Sequence, residues 1–174
     1  NFMKKLLILL TALVSTASLS AQKKADWSKT FPTNINWYMI TDAGTNLVAT
    51  KDALYGMAPD GKELWKLDGI ENIKSSNIEA IEGTPYVVLT KQKLVKTFID
   101  VVDVITGKVV ANSEELGFYT IAKRSYMPRS NRMMLYGSGK TGSYLAMVVD
   151  LANGARVWEQ KSLFEKNSEQ LVSD

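Results

Sequence analysis

The chain has 174 residues, 45% hydrophobic and 22% charged, with a formal charge of +3. That length allows one domain with a real core. It contains no His and no Cys, which excludes Ser-His-Asp and Cys-His catalysis, His- or Cys-ligated metal, disulfides and lipid attachment at a cysteine within this chain.

Residues 3–22 read MKKLLILLTALVSTASLSAQ. Lys4 and Lys5 form a positive start, Leu6 to Val14 an apolar stretch, and Ser15 to Ala21 a run of mostly small residues. This order predicts a secretory signal peptide over residues 3–21, cleaved after Ser20 or Ala21. The apolar stretch is shorter than the ~20 residues a spanning helix needs, so no stable membrane span is expected after cleavage. Export without cysteine points to a bacterial envelope protein, periplasmic or secreted, that gets its stability from packing. Without Lys4 and Lys5 the charge falls from +3 to near +1, so the basic balance does not argue for a nucleic-acid partner. Asn1 and Phe2 stand before Met3, as in a fragment with a ragged start.

The mature part, residues 22–174, repeats itself. LYGMAPDGKELW (54–65), IDVVDVITGKVVA (99–111) and AMVVDLANGARVW (146–158) align on Gly61, Gly107 and Gly154, spaced 46 and 47 residues apart. Four residues after each glycine stand Trp65, Ala111 and Trp158; four before stand Met57, Asp103 and Asp150. A near-constant period of this kind marks a repeat architecture. In chain order the predicted strands are INWYMI (35–40), NLVATK, ALYGMA and ELWKL in the first unit. NIEAIE (77–82), PYVVLT (85–90), TFIDVVDV (97–104) and VVANS follow in the second. FYTIAK (118–123), MMLYG (133–137), YLAMVVDL (144–151) and RVWEQ (156–160) make the third. Four antiparallel strands per ~46 residues are the size of a β-propeller blade. The fold class expected is all-β: a propeller of four-stranded antiparallel blades, about three of them present. Three blades leave the ring incomplete, since propellers have ~4–8, and the chain is read as the N-terminal part of a longer protein. DWSKTF (26–31) is similar to ELWKLD (63–68), so Trp27 reads as the mark of an outer blade strand set at the N-terminus.

The partial pattern small-x-Asp-x-x-Thr-Gly-x-x-x-Trp, carried by Val101, Asp103, Thr106 and Gly107 and by Val148, Asp150, Gly154 and Trp158, resembles the repeat of PQQ-like β-propellers. The first unit keeps Gly61 and Trp65 and has Met57 for the Asp; the second has Ala111 for the Trp; the third has Asn153 for the Thr. The resemblance spans about residues 26–174. It implies that Trp65 and Trp158 dock between adjacent blades over a glycine turn, and that Asp103 and Asp150 pin their turns by accepting backbone N–H bonds. These roles are structural; no catalytic, cofactor-binding or metal-ligating residue is assigned. The resemblance also reaches quinoprotein dehydrogenases, which use a vicinal Cys pair and an acidic calcium site. With no Cys, a PQQ cofactor is not expected.

Other motifs have plainer readings. YGSGKTGSY (136–144) contains Gly139-Lys140-Thr141, but a P-loop needs Gly where Met134 stands and a helix where a strand follows. It reads as a hairpin connection. KRSYMPRSNR (123–132) reads as an exposed inter-strand loop, and Lys91, Lys93 and Lys96 as a solvated loop tip. Trp37, Tyr38, Phe118 and Tyr119 fall on first strands of their units, which line the channel in propellers; packing is the default role for such strand aromatics. The function expected is an exported, non-catalytic propeller that binds or scaffolds a protein partner or small ligand in the envelope. The alternatives are the N-terminal part of a quinone-dependent dehydrogenase or other propeller enzyme, and a factor in outer-membrane protein assembly.

Overall fold

A computed structural model describes residues 26–161. The expected signal peptide, 3–21, and the last residues, 162–174, lie outside the described residues. Residues 26–30 belong to a separate unit and carry no strand. Among the described residues no helix is long and apolar enough to cross a membrane.

From Phe31 to Lys161 the chain is nearly all β. Twelve strands run β1 (Ile35–Ile40), β2 (Asn46–Thr50), β3 (Ala53–Met57), β4 (Glu63–Asp68), β5 (Ile78–Ala80), β6 (Tyr86–Lys93), β7 (Lys96–Asp103), β8 (Val109–Asn112), β9 (Phe118–Met127), β10 (Arg132–Gly139), β11 (Tyr144–Asp150) and β12 (Arg156–Lys161). One 3-10 turn covers Ser75–Asn77. Consecutive strands pair into three four-stranded antiparallel sheets, β1–β4, β5–β8 and β9–β12. This is an all-β array consistent with an incomplete β-propeller of about three blades.

Strand alternation explains the layering. In the first sheet Leu47, Ala49 and Leu54 share one face. They pack with Val87, Leu89, Val102 and Val104 from the second sheet. The opposite face of the second sheet puts Tyr86, Val88, Ile99 and Val101 against Met133, Leu135, Leu145, Met147 and Val149 of the third. Covered on both faces, β6 and β7 need mostly apolar runs; YVVL is unbroken and FIDVV is interrupted by Asp100 alone. The outward face of the first sheet holds Val48, Ala53, Tyr55 and Met57, with Phe31 edge-on to Tyr55 at 5.0 Å.

Three stretches differ from their expected form. KQKLVK is mostly strand: β6 and β7 pair as far as Lys93 opposite Lys96, leaving only Leu94 and Val95 at the turn. KRSYMPRSNR is not one loop: Lys123–Met127 belong to β9 and Arg132 opens β10, with Arg132 opposite Met127. The extension holds because Arg124 and Tyr126 find partners at Glu79 and Asn131. In YGSGKTGSY, Ser138 and Gly139 remain in β10, so the connection is residues 140–143. The Gly139 N–H donates to the Ser143 carbonyl at 2.8 Å, and Tyr136 stacks on Tyr144 across the pair at 6.3 Å. The stretch is a hairpin, with no helix to receive a phosphate.

Candidate functional site

The repeat residues sit at the seams between sheets. Trp65 lies directly opposite Gly56 in the β3–β4 pair. A Cβ on Gly56 would collide with the indole, and one on Gly107 would lie 2.5 Å from Trp65 Cγ. The ring is thus held between a glycine of its own sheet and the glycine turn of the next. Its Nε1–H donates to the Val104 carbonyl at 2.8 Å. Gly107 has φ +73, which a side chain would strain as well as crowd.

At the equivalent place one blade on, Ala111 faces Val101 in the β7–β8 pair. The bulk has moved from the outer strand to the inner one. The Gly154 turn, at φ +75, closes directly on β8: a Cβ there would lie 2.5 Å from the Val110 carbonyl oxygen. A pocket of about 240 Å³ remains, lined by Val110, Ala111, Leu116 and Gly154 among others. Trp158 faces Val148 on the outward side of the third sheet and is half-buried.

The turn residues are committed to their own backbone. The Asp103 carboxylate accepts from the Ile105 and Thr106 N–H groups at 2.8 and 3.3 Å. Asp150 accepts from Ala152 at 2.8 Å, and Asn153 from Ala155 at 2.8 Å. Asp60 does the same for Lys62 at 3.0 Å beside Gly61, whose φ is +87. Such local bonds fix the turn and leave these side chains turned inward on their own loops. Trp27, in the strand-free segment before Thr30, is exposed.

The first strands β1, β5 and β9 carry the surface a propeller turns to its axis. Trp37 is packed, its Nε1–H donating to the Ile73 carbonyl at 2.8 Å, and Phe118 is fully buried. Tyr38, Ile40 and Tyr119 are exposed, Tyr38 at 76%. Glu79 on β5 and Arg124 on β9 join by paired contacts of 2.8 and 3.4 Å. The hydrogen bond from Arg124 holds the Glu79 carboxyl below the usual carboxylate range. Sequence reasoning missed this pair, because the partners are 45 residues apart and only the blade period brings them level. It also missed Asp100, buried on β7 and paired with Lys91 at 2.6 Å.

Asp103 and Asp150 of the repeat serve separate turns and form no shared acidic site. Among the described residues no group of three His, Cys, Asp or Glu gathers to hold a metal ion.

No protein-family profile matches the chain. No curated protein matches it. Solved structures do. A europium-containing methanol dehydrogenase is similar over 77% of this chain and 35% of its own, at 16% identity and a TM-score of 0.43. A eukaryotic initiation factor is similar over 81% of this chain and 46% of its own, at 9% identity and a TM-score of 0.40. A protein of unknown function from Bacteroides caccae covers 84% and 66%, at 12% identity and a TM-score of 0.33. The chain spans less than half the length of the first two, and no residue role passes from any of them to this chain.

Proposed function

We propose that this chain is part of an exported, non-catalytic β-propeller that binds or scaffolds a protein or small ligand in the bacterial envelope. The observation that supports it is the division of labour among its side chains. Trp65, Asp103 and Asp150 are taken up in seams and turns. On the first strands Tyr38, Ile40 and Tyr119 are exposed among polar Asn36, Glu79 and Lys123. Such a surface recognises by shape and apolar contact, with the rigid sheets holding it in place.

The test has two arms on the full chain. Fractionation of cells expressing it with its own N-terminal segment is expected to place it outside the cytoplasm, shortened by about the length of the signal. Purified protein loaded with PQQ and calcium or a lanthanide is expected to reduce no dye with alcohol substrates. Retention in the cytoplasm, or quinone-dependent dye reduction, would overturn the reading; the second result would restore the dehydrogenase alternative.

A further inference from the structure

The same repeat position has three different tips. The β2–β3 turn is Lys51-Asp52 and the β10–β11 turn is Lys140 to Ser143, both polar. The β6–β7 turn is Leu94-Val95, exposed at 97% and 92%. Leu94 has φ +58, in a two-residue hairpin where Asn-Gly would meet no steric resistance. Two aliphatic side chains are therefore held in water, one of them in a left-handed backbone, at a projecting hairpin end.

Lysines surround this tip. Lys93 bonds Glu114 at 2.6 Å and lies over the Phe98 ring. Lys96 sits 3.7 Å from the centre of the Tyr119 ring. Lys91 is neutralised by Asp100. The Lys93 hydrogen bond holds Glu114 below the usual carboxylate range, and the nearby charges of Lys91 and Lys140 add to it. Lys91, Lys93 and Lys96 thus lie at one end of the second blade, where the carboxylates they meet are Asp100 and Glu114. Lys96 and Lys140 have no ion-pair partner among the described residues.

We infer that the β6–β7 tip is a peripheral membrane contact: Leu94 and Val95 enter the interface of an anionic bilayer while Lys96 and Lys140 meet its headgroups. Two side chains on a spur are too little for the core of a protein interface, which buries ~800 Å² per partner. A bilayer takes up a lone apolar tip, and each nearby lysine adds to the attraction when the lipid is anionic. The inference stands on the tip alone and does not depend on the proposed function.

The absence of cysteine gives a direct test on the full chain. Val95→Cys carries an environment-sensitive NBD label at the tip; Asp60→Cys carries it on the β3–β4 turn at the opposite end of the blades. Vesicles of phosphatidylcholine with one-third phosphatidylglycerol are expected to blue-shift and brighten the tip label only. Pure phosphatidylcholine is expected to give a partition at least about tenfold weaker, as is high salt. Leu94→Asn relieves the backbone strain without loss of folding, and is expected to weaken the tip response about tenfold through lost apolar burial. A silent tip label would overturn the inference. So would an equal response at Asp60→Cys, which would mean adsorption through the apolar N-terminal run. A response to soluble polyglutamate in place of vesicles would overturn it in favour of an acidic protein partner.

Discussion

Between the first and second sheets, Trp65 fills the gap: its ring lies over Gly56, under the Gly107 turn, and donates to the Val104 carbonyl at 2.8 Å. Between the second and third sheets Ala111 stands at that position, and the Gly154 turn rests on the β8 backbone itself. The second seam makes up the difference with polar ties. Arg124 reaches Glu79 at 2.8 Å, the Asn131 amide donates to the Tyr86 hydroxyl at 3.2 Å, and the Thr97 N–H donates to the Thr120 hydroxyl at 2.9 Å. One repeat thus builds two joints. A large ring between two glycines supplies area and one partly buried hydrogen bond; a small residue supplies close backbone approach and leaves the fastening to side chains along the strands.

The comparison can be broken most sharply at the tryptophans. Trp65→Ala is expected to cost roughly 3 kcal/mol in denaturant unfolding, through lost burial and an unpartnered Val104 carbonyl. Trp158→Ala, on the outward side of the third sheet, is expected to cost less than about half of that. Equal losses would mean that the first seam is not a specific joint.

Converting the second seam into the first is the next test. Ala111→Trp places an indole opposite Val101, where the first sheet has glycine, and is expected to destabilise by about 1–3 kcal/mol. Adding Val101→Gly should reveal favourable coupling of at least about 1 kcal/mol between the two positions. Additive effects in the double-mutant cycle would show that the 240 Å³ pocket is not an indole-shaped gap.

Smaller effects belong to the turns and ties. Asp103→Ala removes the acceptor for two N–H groups and is expected to cost about 1 kcal/mol; Asp150→Ala removes one and should cost less. The Glu79–Arg124 tie gives the least. The folded-state pKa of Glu79 is depressed, so its contribution is present above the unfolded-state value of 4.5 and is lost as pH falls through the lower folded value. With Glu79 largely exposed, screening limits this to a few tenths of a kcal/mol. Wild type should therefore lose slightly more stability than Glu79→Gln between pH 6 and pH 3, measured by thermal melts; parallel curves would remove the tie from the account.

The sequence carried the strands and their grouping because the period repeats turn chemistry as well as hydrophobicity. Asp60, Thr106 and Asn153 before Gly61, Gly107 and Gly154 fixed three turns, and INWYMI coincides with β1 from end to end. Connections were harder. Lys and Arg in KQKLVK and KRSYMPRSNR suggested loops, yet a strand can run on through charges when some find partners across the sheet or on its neighbour, as Lys91 and Arg124 do. The inner-strand ties and the buried Asp100 were not legible, since each depends on which residues of different blades come level. The exposure of Leu94 and Val95 was likewise hidden, because an apolar pair within a strand-like run reads as core.

A second double-mutant cycle, Gly107→Ala with Trp65→Ala, tests the central claim that an indole clamped on a glycine turn joins two blades. In the wild-type background Gly107→Ala is expected to cost ~2–4 kcal/mol, because the new methyl meets the ring and the backbone has φ +73. With Trp65→Ala already in place only the backbone strain remains, and the cost should fall to about 1 kcal/mol. An equal cost in both backgrounds would contradict the account, since it would mean that Trp65 and Gly107 are not in contact.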